Sequence, residues 1–114
     1  CERCRAFNEK EGSDMGTVLT FVNRVADELG PEYPNVTFDT FAYRTTRIPP
    51  KTVRPRDNVI VRLCSIECCF GHPLDDEDCK NNVAFMKDLE EWSKICDRLY
   101  IWDYVLNCCA LVYP

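Results

Sequence analysis

The chain has 114 residues, a formal net charge of −5 and a sequence pI near 4.8. This acidic balance argues against a general nucleic-acid binder, because neutralising phosphates requires clustered lysine and arginine side chains. No apolar run approaches the ~20 residues that a membrane span needs, so we expect no membrane-spanning segment.

A helix and a strand are predicted in the first half of the chain. Apolar residues recur at spacings of three and four from residue 14 to residue 29, and Gly30 followed by Pro31 ends the pattern. This predicts a helix over 14–29. Residues 36–43 are rich in β-branched and aromatic side chains, which predicts a strand.

A second strand is predicted between two loops. Residues 44–57 contain three prolines and are expected to form a long structured loop. Basic residues dominate this loop and the strand after it, which leaves open either a basic patch or a solvated loop. The apolar run 58–64 predicts the strand, and 65–79, with its four consecutive carboxylates, predicts a second loop.

The last part of the chain predicts one more helix and one more strand. Apolar residues again mark a single helical face over 80–96, and the run 99–105 follows directly as a strand. Residues 107–113 are too short and cysteine-rich a segment to assign.

These elements predict an α/β fold with about three parallel strands and two main helices. Strands this continuously apolar are typical of parallel sheets covered on both faces, and two helices are too few to cover both. We therefore expect 1–114 to be a partial domain, a fragment of a (β/α) TIM-like barrel, incomplete at the N-terminus and also at the C-terminus. A free-standing small α/β interaction domain is the alternative.

Five strings of this sequence carry a resemblance to a known family. They are CERC (1–4), FVNRVADEL (21–29), YPNVTFDTFAYRTTRIPP (33–50), RDNVIVRLCSIECCFGHPL (56–74) and EWSKICDRLYIWDY (91–104). As an ordered set they resemble a bacterial family of unknown function that is grouped with glycoside hydrolase barrels of the α-glucuronidase and hexosaminidase type. The resemblance implies a TIM-like barrel and a carbohydrate-active role, although a fold does not fix an activity.

Two carboxylates are the candidate catalytic residues. The sites of (β/α) barrels lie at the C-terminal ends of the strands, where this sequence places Glu67 and Asp103. Glycoside hydrolysis needs two such groups, one as acid and one as nucleophile or base. In the alternative interpretation, Glu67 pairs with a loop arginine and Asp103 only makes structural hydrogen bonds.

The candidate substrate-binding residues are Tyr43, Arg44 and Tyr104, which also lie at predicted strand ends. A guanidinium fork suits the carboxylate of a uronic acid, and tyrosine rings can stack on sugars. A surface salt bridge is the other interpretation of Arg44, and core packing is the other interpretation of Tyr104.

Nine cysteines supplement the apolar core. Cys1 and Cys4 form a CxxC, and the second loop adds Cys68, His72 and further cysteines. These four residues are the candidate ligands of a structural zinc ion, which we expect to lie where the second loop approaches the CxxC. Disulfides and buried thiols remain alternatives, and a Cys68 and His72 nucleophilic pair is a further one.

The expected function is thus hydrolysis of glycosidic bonds in a carbohydrate, with uronate-bearing sugars as one candidate substrate class and no cofactor required for the chemistry. The alternative is a non-catalytic carbohydrate-binding or structural barrel with a cysteine-rich staple. The compartment stays open, and a signal peptide in the complete protein would make it secreted or cell-surface.

Overall fold

The computed structural model describes residues 1–104. The element order is α1 (Glu2–Glu11), α2 (Met15–Leu29), β1 (Phe38–Ala42), a 3-10 turn (Arg44–Thr46), β2 (Val59–Cys64), α3 (Lys80–Ser93) and β3 (Leu99–Trp102). The strands form one parallel sheet in the order β1-β2-β3. The predicted α/β class is confirmed, and the arrangement is consistent with part of a barrel. Residue 105 of the third predicted strand and residues 107–113 lie outside the described residues.

The α-helix α1 was not predicted from the sequence. Its residues are mostly charged or polar, so an apolar stripe, the main signal of an amphipathic helix, is weak. Glutamate, arginine, alanine and lysine are nevertheless good helix formers. Gly12, at φ 72°, ends the helix in the left-handed conformation that glycine adopts at low cost. Glu11 is the buried residue of the helix, at 1% exposure.

The core lies between one face of the sheet and the helices α2 and α3. In β2, residues alternate between this buried face and the opposite one until the strand ends. The helices contribute large apolar side chains that are fully buried. The core includes Met15, Leu19, Ala26, Ala42, Val59, Val61, Leu63, Phe85 and Trp92.

The opposite face of the sheet is open, as expected for two helices that are too few to cover both faces. Phe41, Tyr100 and Trp102 are 45%, 55% and 43% exposed there. Phe41 and Trp102 pack edge to face at 5.1 Å between ring centroids. Arg62 lies on β2, between β1 and β3, and its guanidinium pairs with the Asp39 carboxylate at 2.7 Å. A (β/α) barrel turns one face of its sheet to helices and the other to its interior, which agrees with the partial-barrel interpretation.

Replacement of Gly16 by alanine is expected to destabilise the protein by about 1–3 kcal/mol, the usual cost of overpacking. A Cβ atom at Gly16 would lie 2.8 Å from Cβ and Cγ of Glu11, so α1 and α2 would have to separate. Urea denaturation checks this. Gly71→Ala is the matched control, because the nearest atom to its Cβ would be 3.9 Å away. Equal unfolding midpoints for the two variants would contradict the close helix contact.

No helix among residues 1–104 combines the length and the apolar character that crossing a membrane requires.

Candidate functional site

All five predicted catalytic and substrate-binding residues lie at one edge of the sheet. Because the strands are parallel, their C-terminal ends meet there. Tyr43 and Arg44 directly follow β1, Glu67 lies three residues after β2, and Asp103 and Tyr104 directly follow β3. We call this edge, with these residues, the strand-end edge.

Asp103 is exposed but held in place by hydrogen bonds. Its Oδ1 accepts a hydrogen bond from the Ser65 hydroxyl at 2.7 Å and another from the Tyr104 backbone N–H at 2.8 Å. Ser65 is itself buried at the end of β2, and its N–H donates to the Trp102 carbonyl oxygen. The Asp103 carboxylate is therefore oriented by the ends of two strands. Its Oδ2 has no hydrogen-bond partner within residues 1–104.

Glu67 is paired with Arg47 of the loop 44–57, which corresponds to the alternative interpretation that this carboxylate pairs with a loop arginine. Arg47 Nη1 lies 3.0 Å from Glu67 Oε2, and Arg47 Nε lies 2.6 Å from Asp88 Oδ2. The Trp92 indole N–H donates to the Arg47 carbonyl oxygen at 2.7 Å. These contacts join residues up to 45 positions apart, so no local sequence signal could have indicated them.

Arg44 begins the turn that leaves β1. It adopts φ 50°, a left-handed conformation that is uncommon for a residue with a side chain. Thr46 fixes the turn: its hydroxyl donates to the Tyr43 carbonyl oxygen and accepts from the Tyr43 N–H, both at 3.0 Å. Arg44 is exposed, and its guanidinium has no ion-pair partner in the described part of the chain. It can therefore reach an external carboxylate.

Tyr104 is a neutral phenol at any physiological pH. Burial, with help from the hydrogen bond to the Cys64 thiol and from the nearby Tyr43, raises the pKa of Tyr104 to about 12. Burial likewise raises the pKa of Cys64. Tyr104 can thus donate or accept a hydrogen bond, but it is not suited to act as a base.

The other arginines of the basic segment make contacts within the fold. Arg56 forms a two-point ion pair with Asp27 on α2, at 2.7 and 2.9 Å. Arg54 donates to three backbone carbonyl oxygens, those of Pro50, Lys51 and Val53. Much of the charge that could have formed a basic patch therefore stabilises the loop.

The four predicted zinc ligands do not come together. Cys1 and Cys4 lie at the start of α1 with their sulfurs 3.4 Å apart. Cys68 is 7% exposed and belongs to the core, and burial raises the pKa of its thiol to about 11. Cys68 is therefore a poor nucleophile, and it lies outside the group of possible metal ligands in the described part of the chain. His72 contacts the neighbouring Cys69 instead, which excludes the Cys68 and His72 pair as well.

Cys69 and Cys79 take the places of the predicted ligands beside His72. The ligand atoms of these three residues all lie within 4.8 Å of one another. Cys69 Sγ lies 3.1 Å from His72 Nδ1. Hydrogen bonds from the Gly71 backbone and from His72 lower the pKa of Cys69. No disulfide links the described cysteines, which are Cys1, Cys4, Cys64, Cys68, Cys69, Cys79 and Cys96.

Open hollows on the described surface are lined by residues other than the two carboxylates. One lies between α1 and Thr45, and another lies between the acidic run 75–77 and α3. Neither hollow is lined by Glu67 or Asp103.

Comparison with known proteins identifies a family. The family described as a domain of unknown function, DUF4838, matches residues 1–114. No curated protein and no solved structure matches the chain. The predicted resemblance to a domain-of-unknown-function family is therefore confirmed at that level. The chain belongs to the DUF4838 family.

Proposed function

We propose that this chain supplies the strand-end edge of a carbohydrate-active barrel that hydrolyses glycosidic bonds. The observation that carries the proposal is the parallel sheet, which delivers Glu67, Asp103 and Arg44 from three different strands to one edge. Active sites of (β/α) barrels are assembled from strand-end residues in this way. The resemblance of the ordered motifs to glycoside hydrolase barrels is a second support for the proposal.

Asp103 is the better candidate for the reacting carboxylate. It is exposed, Ser65 orients one of its oxygens, and the other is free of partners within residues 1–104. A carboxylate held in this way can act as nucleophile or base toward a sugar carbon or a water molecule. Glu67 is the candidate second carboxylate. Because it pairs with Arg47, a substrate that reaches Glu67 would also contact that guanidinium.

Arg44 suggests a uronate-bearing substrate. Its guanidinium is exposed at the end of β1 and could bind a sugar carboxylate through two parallel hydrogen bonds. Tyr43 is 40% exposed beside it and could stack on the ring. The neutral Tyr104 phenol could donate a hydrogen bond to a sugar hydroxyl.

Asp103→Asn is expected to lower kcat at least about a hundredfold with little change in KM, the scale of a lost general base. The amide keeps the shape and can still accept from Ser65, but it cannot act as nucleophile or base. The natural full-length protein is assayed with chromogenic glycosides, including uronosides. Asp97→Asn, just before β3 at the opposite end of that strand, is the control. Unchanged turnover of Asp103→Asn would exclude the catalytic role.

The substrate class is tested with the same glycosides. Arg44→Lys should raise KM for uronosides and leave neutral glycosides unaffected, because a point charge replaces the planar fork. An equal effect on both substrate classes would exclude a uronate contact.

A second candidate, carbohydrate binding without hydrolysis, is favoured by a different observation. Both carboxylates already have partners, Arg47 for Glu67 and Ser65 for Asp103. Isothermal titration with oligosaccharides, followed by product analysis, separates the two candidates. Binding without any released sugar would support the second and exclude the first.

A further inference from the structure

The loop between β2 and α3 brings two thiols and an imidazole together. The sulfurs of Cys69 and Cys79 and a ring nitrogen of His72 all lie within 4.8 Å of one another. In a tetrahedral zinc site, with Zn–S near ~2.3 Å and Zn–N near ~2.0 Å, ligand atoms lie about 3.5–3.8 Å apart. Shifts of about 1 Å in exposed or half-exposed side chains would therefore accommodate an ion.

We propose that Cys69, His72 and Cys79 bind one Zn²⁺ ion. Thiolate sulfur and imidazole nitrogen are the ligands that zinc prefers. Two thiolates balance the charge of the ion, and the two thiol protons pass to solvent on binding. Within residues 1–104, no fourth cysteine, histidine or carboxylate joins the group, and His72 is exposed. Water can therefore occupy the fourth position.

Asn82 on α3 holds the ligand loop in place. Its side chain is fully buried, and its Oδ1 accepts from the Cys69 N–H at 2.8 Å. The two hydrogens of its Nδ2 are shared among three carbonyl oxygens, those of Cys69, His72 and Pro73, at 3.2, 3.3 and 2.8 Å. One side chain thus fixes the backbone of two of the three ligands.

The third ligand is fixed by the helix itself. Cys79 is the residue that precedes the first turn of α3, so its position relative to Asn82 is set by helical geometry. All three ligands are therefore attached to one helix. A site organised before the metal arrives loses less conformational entropy on binding.

The metal content of the natural full-length protein, purified under reducing conditions and dialysed against zinc, tests the proposal. Cys69→Ser and Cys79→Ser should each lower the content by one zinc per chain, measured by plasma mass spectrometry. Cys4→Ser, whose thiol lies in the separate CxxC, is the matched control and should retain all the zinc. Retained zinc in the Cys69 and Cys79 variants, or equal loss in the Cys4 variant, would overturn the proposal.

Cobalt substitution gives a readout that does not depend on the folding of a variant. Co²⁺ in the wild-type protein should give the sulfur-to-metal charge-transfer band and the intense visible bands of a tetrahedral thiolate site.

Asn82→Ser should weaken metal affinity about 10- to 100-fold, the usual effect of removing a group that orients ligands. Absence of the cobalt spectrum, or a Cys69–Cys79 disulfide found by peptide mapping of the reduced preparation, would refute the site.

Discussion

Replacing Arg47 by methionine is expected to destabilise the protein by about 3–5 kcal/mol, the cost of breaking a buried ion pair on one side. The Arg47 side chain is 14% exposed and lies between the carboxylates of Glu67 and Asp88. The Asp88 side chain is 8% exposed, and Arg47 is its one ion-pair partner within residues 1–104. Without Arg47, the Asp88 carboxylate remains buried and uncompensated. Urea denaturation followed by tryptophan fluorescence measures the loss.

Two further variants separate the contributions to this network. Glu67→Gln should cost less than about 1 kcal/mol, because the Glu67 side chain is 48% exposed and water can replace its partner. Asp88→Asn, introduced into the Arg47→Met protein, should recover much of the lost stability, since it removes the stranded charge. The prediction fails if the free energy of unfolding of Arg47→Met lies within about 1 kcal/mol of the wild-type value, which is roughly the cost of losing a surface ion pair. The Arg47–Asp88 pair would then contribute no more than a surface contact does.

Replacing Glu11 by alanine is expected to destabilise the protein by about 3 kcal/mol, since hydrogen bonds to a charged group contribute most when they are buried. The carboxylate of Glu11 accepts hydrogen bonds from the Thr52 N–H, the Thr52 hydroxyl and the Val53 N–H. The residue is 1% exposed, so truncation also leaves a cavity beneath the loop. Urea denaturation at neutral pH measures the difference.

The same carboxylate predicts a dependence of stability on pH. Hydrogen bonds from the Thr52 hydroxyl and the Thr52 and Val53 backbone, opposed by burial, hold the pKa of Glu11 below its usual value of 4.5. Because this pKa is lowered in the folded state, the ionised Glu11 carboxylate stabilises the protein. The contribution is complete at pH values above the pKa of Glu11 in the unfolded state. This contribution is lost as the pH falls through the folded-state pKa.

Glu11→Gln is the matched variant for that dependence. The amide keeps the length of the side chain, and the Thr52 hydroxyl can accept from its NH₂ group, so much of the hydrogen bonding survives. Unfolding midpoints measured at several pH values below neutral should therefore fall less steeply for Glu11→Gln than for the wild type. Parallel curves for the two proteins would show that Glu11 does not titrate differently on folding.

Much of the fold could be predicted because its signals are local. The helical spacing over 14–29 corresponds to α2 at Met15–Leu29, and the helix predicted over 80–96 corresponds to α3 at Lys80–Ser93. The apolar strands were also found, since burial of one sheet face requires apolar side chains. Helix α1 was not predicted, because it buries little beyond Glu11 and so lacks an apolar stripe.

The sequence by itself determined which residues stand at the strand-end edge, because parallel pairing carries every strand end to the same side. Only the tertiary structure decided their partners. Glu67 meets Arg47 and not Arg44, and that choice depends on a loop that folds back across 20 residues.

The same division applies to the cysteines. Composition indicated a cluster of soft ligands, yet the adjacent residues Cys68 and Cys69 lie in different environments. Cys68 is buried in the core, whereas Cys69 lies beside His72 and Cys79. Burial is set by packing between the sheet and the helices, which involves residues far apart in the chain. Spacing along the sequence therefore could not identify which thiol faces the histidine.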